Sequence, residues 1–300
     1  MRFLVVSLLL LSLQPAFAQE LSKEDQEREK AFRERAAALN PDTTKPAGWI
    51  HKMVAGVNLS QVSFKDWAQG GQNALSYTLW LNGSSTQDCE KTNWSNSYKF
   101  AFGQTRLSDQ GLRKTDDEIF FESLLIYKVW TAVNPYASLT VRSQFARGYE
   151  YLPTGEVEVS RFFDPGYLTQ SVGAAYKPIP EVVTRLGIAA REVITSTHHQ
   201  YSDDPATSSI EKVKVNGGIE SVTNVEWSFA ENMQLKSSLE LFAPFKTLDE
   251  IIVRSDNSIN AKVNKYVSVS FNVSFVNDVT VTRRTQIKQV LAIGIGYSIL

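Results

Sequence analysis

Val267-Ser268-Val269-Ser270-Phe271-Asn272-Val273-Ser274-Phe275 alternates without a break: every odd residue is apolar and every even one is small and polar. In an extended strand successive side chains leave on opposite faces, so the two sets separate completely. One side of this strand must meet something greasy, and the other something wet.

Outward from this stretch the same two-residue period recurs. A first strand runs roughly from Trp49 to Ser63, and a second shows Leu75, Tyr77, Leu79 and Leu81 on its apolar face. The next three carry Trp94, Tyr98, Phe100 and Phe102; then Ile119, Phe121, Leu125, Tyr127 and Val129; then Ala137, Leu139, Val141 and Phe145. Phe120 and Ile126 make the fourth strand apolar on both sides. The sixth to eighth use Leu168, Val172, Ala174 and Tyr176; Val182, Leu186, Ile188, Ala190 and Ile194; and Val213, Val215, Ile219, Val225 and Trp227. Met233, Leu235, Leu239 and Leu241 mark a ninth, and Ile251, Val253, Ile259, Ala261 and Val263 a tenth. The quoted strand is the eleventh, and Leu291, Ile293, Ile295, Tyr297 and Ile299 close a twelfth.

Twelve is an even number, as a single-chain barrel needs if both ends of the chain emerge on one side. The connections alternate in length. Ala132–Pro135, Lys177–Pro180, Ala230–Asn232 and Asn264-Lys265 are tight, whereas Ala146–Gly166, Thr195–Lys212, Phe242–Asp249 and Val276–Gln286 are long. Asn82–Asn93, which contains Cys89, is a long link where the rhythm calls for a short one. Trp94, Tyr127, Tyr176, Trp227 and Tyr297 fall on apolar faces near the short-link end, where an interfacial girdle belongs. The predicted fold is all-β, a transmembrane antiparallel up-and-down β-barrel of about twelve strands.

The N-terminal part differs. Arg2, the apolar run Phe3–Leu13 and the small-x-small site Ala16-Phe17-Ala18 predict a signal peptide over 1–18 and a mature start near Gln19. No Cys follows the cleavage site, which argues against a lipid anchor. Residues 19–48 are rich in helix formers with opposite charges at i, i+4, such as Glu24 with Arg28 and Glu29 with Arg33, and Asn40-Pro41 ends the run. A charged helical arm on the periplasmic side is expected there, with a plug inside the barrel as the alternative. The barrel takes 49–300.

A single cysteine excludes a disulfide framework and any multi-cysteine metal site. A formal charge of −1 argues against nucleic acid as a partner. Three histidines leave little material for metal or proton chemistry, and no cofactor is expected. The partners expected are outer-membrane lipids and, through the arm or the long loops, a periplasmic or envelope protein.

The stretch Gly56–Ser76, with Asp66-Trp67-Ala68-Gln69-Gly70-Gly71-Gln72-Asn73 at its centre, resembles an uncharacterised outer-membrane β-barrel family, a domain of unknown function of Gram-negative bacteria of the Bacteroides group. Trp67, Gly70, Gly71 and Asn73 stand where that family has an Asn-Trp followed by a Gly-Gly-x-Asn turn, and Asp66 replaces the usual Asn. Ala261–Ser270 and the final strand are similar too, so the resemblance covers about 48–300. It implies the barrel and no chemistry. Gly70-Gly71 suits a tight reversal, and Trp67 is expected to cap the rim.

The functional expectations rest on the face opposite the apolar one. It carries Ser76, Thr78, Ser95, Ser97, Lys99, Glu122, Lys128, Arg142, Arg185, Arg191, Lys214, Glu220, Glu226, Lys236, Glu240, Arg254, Asp256 and Lys262. Such charges are costly against lipid and tolerated where water or partners reach them. They predict a lumen lining, either an aqueous passage or an interior packed shut by ion pairs. Gly173, Gly187, Gly218, Gly294 and Gly296 on that face leave room and favour a passage. The expectation is a passive pore or transport-related channel for small solutes. The alternatives are a closed, partner-binding barrel and a hydrolase centred on His198 or His199, with Asp203-Asp204 nearby. Neither outer-membrane phospholipase nor outer-membrane protease patterns are matched, so no catalytic residue is expected.

Overall fold

The computed structural model describes residues 48–300 apart from 64–71, 109–110, 265, 280–281, 283 and 299–300. The signal peptide, the arm up to residue 47, and Trp67, Gly70 and Gly71 of the turn motif lie outside the described residues, and Asn73 stands just before the second strand.

The strands are β1 (Trp49–Val62), β2 (Ala74–Asp88), β3 (Thr92–Leu107), β4 (Arg113–Tyr127), β5 (Val133–Ser143), β6 (Gly148–Leu152), β7 (Gly155–Ser160), β8 (Gly166–Ile179), β9 (Val182–Ile194), β10 (Val213–Ala230), β11 (Met233–Pro244), β12 (Ile252–Lys262), β13 (Val267–Asn277) and β14 (Gln286–Ser298). Twelve of them close into a barrel in which each strand pairs antiparallel with the next and β14 returns to β1. β6 and β7 form a separate hairpin inside the long link, so β5 pairs with β8. Closure leaves no sheet edge exposed, which matters where no water is available to satisfy one.

The register carries the alternation of β13 to its neighbours. Phe271 lies opposite Ile259 on β12 and Leu291 on β14, while Ser270 lies opposite Asn260 and Ala292. A slip of one residue would exchange the two faces, so apolar faces that match across every pair pin the register. The apolar face points out: Leu291, Ile293, Ile295 and Tyr297 are 66–74% exposed. A two-sheet sandwich would bury that face. No helix among the described residues is long and apolar enough to cross a membrane, which leaves the strands as the elements able to do so.

One connection differs from the expectation. Asn82–Asp88 continues β2, paired from Asn82↔Lys99 to Asp88↔Asn93, and the link shrinks to residues 89–91. Gly83-Ser84-Ser85-Thr86-Gln87 lacks large apolar side chains, so the alternation fades while the backbone ladder persists. Side chains support it: the Tyr98 ring covers Gly83, and Ser85 Oγ hydrogen-bonds Tyr98 Oη and His51 Nδ1, each at 2.7 Å. All links at that end are then short, and the long ones gather at the other.

Candidate functional site

Arg142 on β5 donates from Nη2 to Glu240 Oε2 on β11 at 2.9 Å. These strands are not neighbours in the wall, so the contact crosses the interior. Residues directly opposite in an antiparallel pair share a face. Following the ladders from Arg142 places Lys99, Glu122, Arg185, Arg191, Lys214, Glu220, Glu226, Lys236, Glu240, Arg254, Asp256 and Lys262 on the inward face, with Ser76, Thr78, Ser95 and Ser97. Lys128 is the exception. It follows β4 in the short link, where Nζ binds Asp88 Oδ1 at 2.6 Å and the Cys89 carbonyl at 2.7 Å. Its alternation was extrapolated one residue past the end of the strand.

The inward charges form tiers. Nearest the long loops, Arg191 Nη2 reaches Asp278 Oδ2 at 3.1 Å, and its guanidinium lies 5.5 Å from the Tyr167 ring centre and 6.0 Å from that of Phe242. At the waist, Arg142 also stands 3.8 Å from Glu118 and 3.9 Å from Asp256, over the Phe120 ring at 4.5 Å. Lys99 Nζ meets Glu118 there at 2.5 Å. Toward the short links Arg185 pairs with Glu122, and Tyr136 Oη bonds Ser171 Oγ at 2.7 Å beside buried Glu220. Lys236 and Glu226 pair at 3.2 Å near that mouth. Guanidinium forks suit such carboxylate contacts, and truncating one partner would strand the other charge.

The filling is eccentric. Away from the short-link mouth, where Glu226 and Lys236 are exposed, many inward residues of β5 and β8–β11 are tightly buried: Tyr136, Thr140, Thr169, Ser171, Arg185, Ala189, Arg191, Glu220, Val222 and Phe242 are all under 9% exposed. Across the bore the side chains of Lys99, 2.5 Å from Glu118, and Asp256, 3.9 Å from Arg142, also face inward but are 44% and 39% exposed. Inward side chains on the arc β12–β13–β14–β1–β2–β3 are mostly half-buried or exposed, although Ala101 and Ile252 there are buried. Hydroxyl and amide side chains dominate that arc, among them Asn58, Ser76, Thr78, Ser95, Ser270 and Asn272.

The inward glycines do not supply room, contrary to expectation. A Cβ on Gly187 would stand 2.6 Å from Tyr136 Oη, and one on Gly218 2.7 Å from the Phe242 ring. Gly173 faces the backbone of β9, Gly294 is filled by Asn58, and Gly296 by Trp80. Each glycine accommodates a neighbouring side chain or, at Gly173, the adjacent backbone, so room for solvent depends on the small polar residues instead.

The histidines lie among the long loops. His198 Nδ1 is 3.2 Å from Asp164 Oδ2, and its Nε2 is 3.6 Å from Glu158. Asp203 and Asp204, the carboxylates adjacent in sequence, are turned to the backbone of Glu211 and Ala206. His199 Nδ1 meets Thr195 Oγ1 at 3.1 Å. Burial pulls the Asp164 carboxyl up, but Ser196 Oγ and the backbone N–H groups of Ser196, Thr197 and His198 outweigh it and hold it down at about 2. Ser196 donates to Asp164, a carboxylate held too acidic to serve as an effective general base for the hydroxyl. The arrangement ties the link after β5 to the link after β9. Among the described residues no group of three or more His, Cys, Asp or Glu could hold a metal ion. Asp164 lay outside the sequence reading because its partner is more than thirty residues away. Trp80 was legible only as a break in the polar face of β2.

The fold resembles solved barrels at low identity. One is an outer membrane channel from Pseudomonas putida F1, at 11% identity over 86% of this chain and 97% of that one, with a TM-score of 0.39. The translocator domain of the autotransporter NalP from Neisseria meningitidis shares 9% identity over 91% of this chain and 95% of its own, at TM-score 0.35. The NanC porin shares 8% over 82% and 97%, at TM-score 0.36. No curated protein matches the chain. Residues 59–149, from the end of β1 into β6, match the model of a family described as Protein of unknown function (DUF3078).

Proposed function

We infer that this protein is an outer-membrane barrel, exported by its signal peptide, that acts as a passive channel for small polar solutes. The outward apolar band with Trp94, Tyr127, Tyr176, Trp227 and Tyr297 toward the short-link end supports the membrane setting. The channel reading rests on one observation: Lys99 and Asp256 point into the bore at its waist and still keep 44% and 39% of their side-chain surface open. An interior packed shut by ion pairs would bury them as it buries Arg185 and Glu220. Proteoliposomes swelling in isotonic glycerol or glucose test this. Swelling above protein-free vesicles supports a passage, and its absence with verified insertion refutes one.

A second reading is a closed barrel that offers its long loops to a partner. The Arg142–Glu240 contact favours it, because it divides the bore at the waist.

A further inference from the structure

Trp80 sits on the inward face of β2, opposite Gly56 of β1, and Gly56 lies opposite Gly296 of β14. A Cβ on Gly56 would stand 2.6 Å from Cε2 of the indole, and one on Gly296 3.3 Å from Cη2. The ring therefore reaches sideways across two strands, which are about 4.8 Å apart at each step. It lies flat on the wall instead of pointing at the axis. Two glycines are what allow it, since any other residue at Gly56 would lift the ring off the sheet. Indole Nε1 donates to Asn58 Oδ1 at 3.3 Å and fixes the in-plane orientation. The ring lies against Gly56 and Gly296 and is half-buried on the inward side of the wall, and among the described residues no ring or cation stacks on it.

Tyr136 and Phe242 also lie over glycines, but both are buried, whereas Trp80 is only half-buried. Trp80 instead presents a plane. Next to it on the same face are Asn58 and Thr78 on one side and Asn82 on the other. A planar apolar face bordered by neutral donors and acceptors matches a solute with an apolar CH face and an equatorial rim of hydroxyls. The charges in register here, Glu118 through Ala101 and Lys99 opposite Asn82, are engaged with each other, which leaves the neutral groups to meet a solute.

We propose that Trp80, with Asn58, Thr78 and Asn82, forms a stacking subsite for neutral saccharides on the wall of the passage. This rests on the channel reading and narrows its solute class.

The test is block of ion current. The protein purified from membranes is reconstituted in planar bilayers, and glucose, maltose and maltotriose are titrated against polyethylene glycol of matched mass. Each variant is read against its own open current. The sugars should block at lower concentration than the polymer, and Trp80→Ala should raise the half-blocking concentration about tenfold, with Trp80→Phe intermediate. Conductance without sugar block, or equal block by the polymer, overturns the subsite and leaves the channel standing. An unchanged half-blocking concentration in Trp80→Ala overturns it too. A silent bilayer sinks the channel reading. The subsite is then read by calorimetry of maltotriose on the folded protein in detergent, where no heat of binding overturns it. Heat-modifiable gel mobility confirms that each variant folds, and Asn58→Ala, predicted to weaken block severalfold, replaces Trp80→Ala if that variant does not.

Discussion

Replacing Phe271 by Arg, and separately Ser270 by Arg, probes the two faces of β13 with one side chain at adjacent positions. Phe271 points outward, 42% exposed, between Ile259 and Leu291 near the middle of the strand. If lipid covers that face, the guanidinium has no aqueous partner and must drag water or distort the bilayer to reach one. The cost at such a depth is about 2–4 kcal/mol, a factor of roughly 30–1000 in the folding equilibrium. Ser270 faces Asn260 and Ala292 among small polar residues; if water fills that arc it solvates the same group, and Ser270→Arg should cost under about 1 kcal/mol. Reversible guanidine unfolding in lipid vesicles measures both. Equal costs, or a larger cost at Ser270, would refute the assignment of the outward face to lipid. A loss at both positions in detergent but not in vesicles would refute it as well.

Three other perturbations test separate parts of the account. Cys89, the single cysteine, sits in the short link 89–91, so a membrane-impermeant maleimide should leave it unlabelled in intact cells and label it once the outer membrane is permeabilised. Labelling of intact cells would place that end outside. Glu240→Gln removes a carboxylate from the waist but leaves Arg142 within 3.8–3.9 Å of Glu118 and Asp256, so stability should fall by only about 1–2 kcal/mol while ion selectivity moves toward anions. A reversal potential that does not move would show that the waist is not on the ion path. Asp164 titrates near 2 when folded against an ordinary 3.8, so its carboxylate stabilises the loops above that ordinary value and the contribution, about 2 kcal/mol, is lost as pH falls from about 4 toward 2. Pepsin nicking in 144–165 or 195–212 should therefore accelerate across that window in the natural protein, and Asp164→Asn should be nicked readily throughout. A pH-independent difference between the two would remove the titration from the explanation.

The parts of the fold that could be read from sequence are those where the lipid-facing requirement acts on every second residue. β13 shows this in full from Val267 to Phe275, because nothing on its inward face there exceeds Asn in size. Faces could be assigned along β9 and β10 for the same reason, and the inward charges follow from them. The second half of β2 was illegible because Gly83–Gln87 offers no apolar contrast, and its pairing is held by Tyr98 and Ser85, contacts made across strands. The β6–β7 hairpin belongs to a loop that no membrane face constrains. Distance in sequence hid the rest. Arg142 finds Glu240 across the bore, His198 finds Asp164 between loops, and the glycines turn out to be receptacles for Tyr136, Phe242 and Trp80. Alternation assigns a face to each residue; it does not say which residue fills the space opposite.

The central claim is that the arc bounded by Lys99 and Asp256 is a water-filled path through the membrane. Single-channel recording of the purified protein in a planar bilayer tests it most directly. The account predicts steady ohmic steps, reduced by Ser270→Arg, which places a long side chain in the arc. A bilayer that stays silent although insertion is verified, or steps that Ser270→Arg leaves unchanged, would contradict it.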